Sequence, residues 1–259
     1  MSEMKLYAFA CGQITMDRTY LAPGTGDGQQ IVVPMPIFLI LHPKGNVLVD
    51  TGPHKDVIAD AEGRWGSRFL RLARPVMQPG DDVVSQLASI GYRPEDIAIV
   101  VNSHFHNDHA GGNQFFPHAT FLVQRAELAA WRDPELRQRM NYYPADVDHP
   151  LRYQVVDGDY DVHGDGTVLL VPTFGHSPGH QSVLVRLPNT GPVILTGDGC
   201  YLRENLEQHI VPKIGWDREV MGRSIAKLRD LRDREQALVI YGHDADSWAR
   251  LKHAPEFYD

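Results

Sequence analysis

The sequence predicts an α+β fold in which two β-sheets carry helices on their outer sides. Three observations point there. Short apolar, β-branched runs recur along the chain. Helical patterns are few. In each half, several strand-like runs precede the helices, so strict strand–helix alternation is not the pattern. The 259 residues, 42% hydrophobic and 22% charged, suffice for one large domain or two small ones with a sizeable core.

The strand candidates, in order, are KLYAFA (5–10), PIFLILH (36–42), NVLVDTG (46–52), IAIVVNS (97–103), TFLVQ (120–124), TVLLVPT (167–173), SVLVRLP (182–188), PVILTGD (192–198) and ALVIYGHD (237–244). Each runs into turn-forming or polar residues, as strands do. DDVVSQLASIGY (81–92) opens on an acidic pair and reaches Gly91, the start and stop signals of a helix. RAELAAWRD (125–133) and DREVMGRSIAKLRDLRD (217–233) are also helical in pattern. Residues 16–35, rich in Gly and Pro, and 133–153, polar with three tyrosines, read as long loops.

Composition excludes several functions. The formal net charge is −8, and no Lys/Arg run offsets it, which disfavours a nucleic-acid partner. Only two cysteines occur, Cys11 and Cys200, and they read as buried, reduced thiols. The N-terminus lacks the apolar segment of a secretory signal, and no apolar run reaches the roughly 18 residues of a membrane span. The expectation is a cytoplasmic protein without a membrane partner.

Several strands end in Asp or His: Asp50, His104, His176, Asp198 and His243. Strand ends on one sheet edge collect their side chains in one place. SHFHNDHAGG (103–112) is the densest such stretch. In an extended segment His104 and His106 point the same way, and a following helical turn aims Asp108 and His109 at a second, adjacent locus. Two neighbouring loci imply two metal ions, and imidazoles with carboxylates suit zinc, iron, manganese or cobalt without any thiolate. His176, ahead of the rigid Pro178–Gly179 turn, supplies a third imidazole to the first ion. Asp198, between two glycines, can bridge both, and His243 serves the second. Asp50 and His180 are read as residues behind the ligands, Asp50 accepting the second N–H of a ligand imidazole. The other seven histidines stay as surface or core residues.

As a set, H-x-H-x-D-H at 104–109, GHSPGH at 175–180, the strand-end Asp198, the late His243 and the upstream DTG at 50–52 resemble the metallo-β-lactamase fold superfamily. The motifs follow the family's order from about residue 5 to 250. The resemblance implies an αββα sandwich of two mixed sheets flanked by helices, one domain over residues 1–259. It also implies that His104, His106 and His176 bind one metal, and that Asp108, His109 and His243 bind the other. Asp198 would bridge the two with a water or hydroxide.

GHSPGHQS, GDGCYLREN and YGHDAD are similar to segments of the quorum-quenching lactonases that open N-acyl homoserine lactones. That branch places a tyrosine three residues after the bridging Asp, and Tyr201 stands there to hydrogen-bond the lactone carbonyl. The resemblance implies two divalent ions, zinc first, with a bridging hydroxide as nucleophile, Asp108 as proton shuttle, a small lactone as substrate, and a homodimer as a family expectation. Asn107 departs from the apolar or aromatic residue common in these lactonases, which makes it the residue of the stretch to report on substrate choice. The alternatives are another lactone of the pyridoxolactone or γ-butyrolactone type, a thioester, or a non-hydrolytic di-metal redox or sensor role.

Overall fold

Residues 4–259 are described by a computed structural model. Alternation along the first strand sets the layers. Leu6 and Ala8 join a core shared by both sheets, while Tyr7 and Phe9 join a second core on the opposite face. The strands are β1 (Lys5–Asp17), β2 (Gln30–Leu41), β3 (Val47–Val49), β4 (Ala73–Val76), β5 (Ile99–Val101), β6 (Thr120–Gln124), β7 (Arg152–Val156), β8 (Tyr160–Asp161), β9 (Val168–Pro172), β10 (Gln181–Leu187), β11 (Gly191–Leu195) and β12 (Leu238–Ile240). They form a seven-stranded sheet in the order β4-β1-β2-β3-β5-β6-β7 and a five-stranded sheet in the order β12-β11-β10-β9-β8. Both are mixed. β3, β5, β6 and β7 run parallel in the first, and β11 pairs β12 parallel in the second.

Val47, Val49, Val101 and Leu122 of the larger sheet meet Val183, Val185, Val193 and Leu195 of the smaller one. On the outer face of the larger sheet, Val83 and Leu87 of helix Val83–Ser89 pack with Ile37, Leu48 and Val100. On the outer face of the smaller sheet, Met221, Ile225, Leu228 and Leu231 of helix Arg218–Glu235 pack with Leu184 and Ile194. The result is the αββα sandwich expected. Both long-patterned helices start at an aspartate cap: Asp82 accepts from Val84 and Ser85 N–H, and Asp217 from Glu219 and Val220 N–H. Cys11 and Cys200 are buried free thiols.

The structure differs from expectation at the hairpin. β1 and β2 stay paired as far as Asp17↔Gln30, beyond a bulge between Ala10 and Gln13, so the expected loop at 16–35 shrinks to residues 18–29. β4, β7 and β8 were not expected. β4 and β7 lie on the two edges of the larger sheet, where Pro75 and the exposed Arg152 and Gln154 are tolerated and the apolar signal is diluted. The expected loop at 133–153 holds two short helices, Pro134–Arg139 and Pro144–Val147, before β7 begins.

Candidate metal centre

Five strands deliver the site. β3 leads into Asp50 and β5 into residues 104–109 from the larger sheet. β9 leads into His176, β11 into Asp198 and β12 into His243 from the smaller. His106 is extended, and Asn107–Ala110 form one helical turn. Gly197, at φ +51°, brings Asp198 close to its neighbours, because a Cβ there would lie 2.9 Å from His180 Nε2.

Two triads result. His104 Nε2, His106 Nδ1 and His176 Nε2 lie 2.8–3.0 Å apart in a triangle. Asp198 turns Oδ2 to this triangle, 3.2 Å from His176 Nε2. Its Oδ1 faces the other triad, 3.2 Å from His109 Nε2 and 3.1 Å from His243 Nε2. Asp108 Oδ2 lies 3.4 Å from His109 Nε2 and 3.7 Å from His243 Nε2. One carboxylate therefore spans the two loci.

The protonation pattern suits cations. His106 Nε2 is 2.9 Å from the Met140 carbonyl and His243 Nδ1 is 2.7 Å from the Pro34 carbonyl. A carbonyl only accepts, so those nitrogens carry a proton, and in the neutral ring the inward nitrogens are bare lone pairs. His109 Nδ1 likewise donates to Asp50 Oδ2 at 2.8 Å, and Ser103 N–H and Oγ–H hold that carboxylate. Lone pairs converging at 2.8–3.0 Å cannot all be satisfied by one another. A zinc ion at about 2.0–2.1 Å from three nitrogens would space them roughly 3.3 Å apart, close to this triangle. Among the described residues, His109 Nε2 and Asp198 Oδ1 are buried without hydrogen-bond partners. The donor set fits two divalent ions.

Electrostatics separate the two loci. Burial pushes His104 and His176 well below the usual histidine range, and lowers His106, so these rings are neutral. At His109 burial acts the same way, but Asp108, Asp198 and Asp50 together outweigh it and raise the ring well above its ordinary value. Positive charge is stabilised there. Burial would raise Asp198, yet His109, His176 and His243 hold it well below the carboxylate range.

Sequence and fold comparisons agree with this geometry. A family model of the metallo-beta-lactamase superfamily matches residues 33–243. The chain belongs to the metallo-beta-lactamase superfamily. Within that superfamily it is 38% identical to the N-acyl homoserine lactonase AttM of Azorhizobium caulinodans, across 100% of both chains. It also superposes on an N-acyl homoserine lactone hydrolase carrying N-hexanoyl-L-homoserine at its catalytic metal center, with a TM-score of 0.89, 32% identity and 100% of both chains covered. A variant of the Bacillus thuringiensis protein AiiA, with N-decanoyl-L-homoserine at its active site, superposes with the same TM-score, identity and coverage.

His106, Asp108, His176, Asp198, Tyr201 and His243 line a cavity of about 400 Å³. Its walls are largely apolar, with Ile14, Met16, Phe69, Leu72, Met140 and Ile214. Tyr201 Oη lies 2.6 Å from His176 Nδ1. If His176 Nε2 is the ligand atom, Nδ1 donates to the phenol oxygen, which leaves the phenol's own hydrogen to Asp198 or to a substrate. Burial, then Asp198 and Asp108, raise Tyr201 well above its ordinary value, so it stays protonated. His180 accepts the Asp198 N–H at Nε2 (3.0 Å), and its Nδ1 meets Thr173 Oγ1 (2.8 Å), which places it behind the bridging carboxylate. Asn107 does not line the cavity. It is 1% exposed, its Nδ2 has no partner, and the helical turn that aims Asp108 at the cavity directs Asn107 into the protein. Sequence reasoning missed Met140 and Pro34, whose backbone carbonyls orient ligands and leave no side-chain signal, and it missed the apolar walls.

Proposed function

We propose that this chain hydrolyses N-acyl homoserine lactones at a dinuclear centre held by His104, His106, Asp108, His109, His176, Asp198 and His243. The observation that carries the reading is one arrangement: a two-triad ligand cluster bridged by Asp198, with a phenol at its edge, beneath an apolar cavity of about 400 Å³. Full-length relatives at 38% identity, named N-acyl homoserine lactonases, support it. Two divalent ions, when bound, would polarise the lactone carbonyl and bring a water near neutrality in pKa. The nitrogen and oxygen donors, without thiolate, suit zinc, and iron, cobalt and manganese share that preference.

The chain's own groups then do the following. The apolar walls receive the acyl chain and exclude water around it. Tyr201 donates its O–H to the carbonyl oxygen as negative charge develops there. His176 keeps that phenol oriented from behind. Asp108 lines the same cavity, so its carboxylate is placed to take a proton from the attacking water and pass it to the ring oxygen as the C–O bond breaks. The leaving alkoxide stays tethered in the opened product.

A pH-indicator assay tests this on N-acyl homoserine lactones of graded chain length, unsubstituted γ-lactones and thioesters. Each buried methylene should raise kcat/KM by roughly fourfold, from about 0.8 kcal/mol per CH₂, until the cavity is full. A profile flat in chain length, or faster turnover of thioesters, would overturn the assignment.

A further inference from the structure

Glu127 is fully buried, in the first turn of helix Arg125–Arg132 directly after β6. A carboxylate in the first turn is favoured by the helix dipole, but that alone does not account for a buried charge. Four neutral donors do. Glu127 Oε1 accepts from Phe105 N–H at 2.9 Å and from Tyr142 Oη–H at 2.5 Å. Oε2 accepts from Ser177 Oγ–H at 2.6 Å and from Gly179 N–H at 2.9 Å.

Each donor belongs to a segment that carries or aims a ligand of the first triad. Phe105 separates His104 from His106. Ser177 and Gly179 follow His176. Tyr142 lies two residues after Met140, whose carbonyl accepts the hydrogen bond from His106 Nε2. The approach is close enough that a Cβ on Gly179 would lie 2.1 Å from Glu127 N. The two triads also differ in charge. The second has Asp108 as a ligand and Asp50 behind His109, besides the shared Asp198. The first has three imidazoles and only the shared Asp198.

We infer that Glu127 is a positioning residue for the triad His104, His106 and His176: it ties both ligand loops together and places a further anion behind this triad, in addition to the shared Asp198. It therefore governs how tightly the first locus holds its metal and leaves the second locus alone. The inference rests on the dinuclear reading above.

The test uses Glu127→Gln. An amide cannot satisfy all four donors, because its NH₂ faces a backbone N–H at either oxygen position, Phe105 on one side and Gly179 on the other. Zinc affinity is measured by chelator competition on metal-stripped protein in two backgrounds. With His243→Ala, which breaks the second triad, Glu127→Gln should weaken the remaining zinc by about 10–100-fold. With His106→Ala, which breaks the first, it should change the remaining zinc by less than about twofold. Equal losses in both backgrounds would reduce Glu127 to a general fold support, and no loss in either would remove the inference. Melting temperatures of the stripped proteins report folding separately. If Glu127→Gln does not fold, Ser177→Ala and Tyr142→Phe each delete one donor and carry the same comparison. Fewer than two zinc ions on the unmodified chain would instead overturn the dinuclear reading itself.

Discussion

Tyr201 places two demands on one oxygen. In the proposed reading, Tyr201 Oη, 2.6 Å from His176 Nδ1, accepts there and donates its own hydrogen to the substrate. Tyr201→Phe removes both, and the metal content of the variant tells them apart. With two zinc ions retained, kcat should fall by about tenfold or more, because the lost hydrogen bond strengthens as the oxyanion forms. An unchanged kcat would return the tyrosine to packing. Residues of this kind were legible because chemistry and position coincide: His104, His106, His176, Asp198 and His243 each follow an apolar strand run, and the structure brings them together. Glu127 was not legible. It sits in an ordinary charged helical pattern, and its burial depends on donors from residues 105, 142, 177 and 179, which only the fold assembles. Asn107 shows the reverse. Its place within the motif suggested contact with substrate, but a single helical turn rotates it away.

Helix Ala61–Leu70 escaped the sequence reading for a local reason. Gly63 and Gly66 lower its helical signal, and Gly66 has φ +73° at a kink inside the element. The helix still matters to the site, because Phe69 reaches the cavity wall and Arg64 Nη2 pairs with Asp146 Oδ1 at 2.5 Å. Asp146 lies in the short helix Pro144–Val147, where burial outweighs Arg64 and, with Asp108 adding to it, pushes the carboxyl up to about 7. Its folded pKa thus exceeds its unfolded value of about 3.9. The folded protein holds a proton that the unfolded chain releases, so this group's stabilisation is complete below about pH 4 and is lost as pH rises toward 7. Asp146→Asn removes the titration. Between pH 5 and 7, the melting temperature of the unmodified protein should fall relative to that variant. Parallel curves would show that Arg64 keeps Asp146 ionised throughout.

At the scale of the molecule, the centre joins the two sheets. His104, His106, Asp108 and His109 come from the larger sheet, and His176, Asp198 and His243 from the smaller. Ions bound there cross-link layers otherwise held by the apolar seam between them. Binding to the folded state alone stabilises by about 4 kcal/mol per site at a thousandfold excess over Kd. Stripping the metal should therefore lower the melting temperature by several degrees, and calorimetry on stripped and reloaded protein checks it. An identical transition would mean that the sandwich does not depend on its ligands being filled. The layered plan was readable from apolar runs and their spacing. The exact sheet order was not, since it depends on parallel pairings such as β11 with β12 and on edge strands whose polar residues hide them.

His106 and His243 are aimed by the carbonyls of Met140 and Pro34, groups present whatever side chain stands at those positions. A mutational scan that exchanges side chains at 34 and 140 would leave both bonds in place and score the sites as tolerant. Substitution data would then understate the very contacts that set these two rings. Shifting the β2 register by one residue, or replacing the peptide bond with an ester to weaken its carbonyl, would expose them.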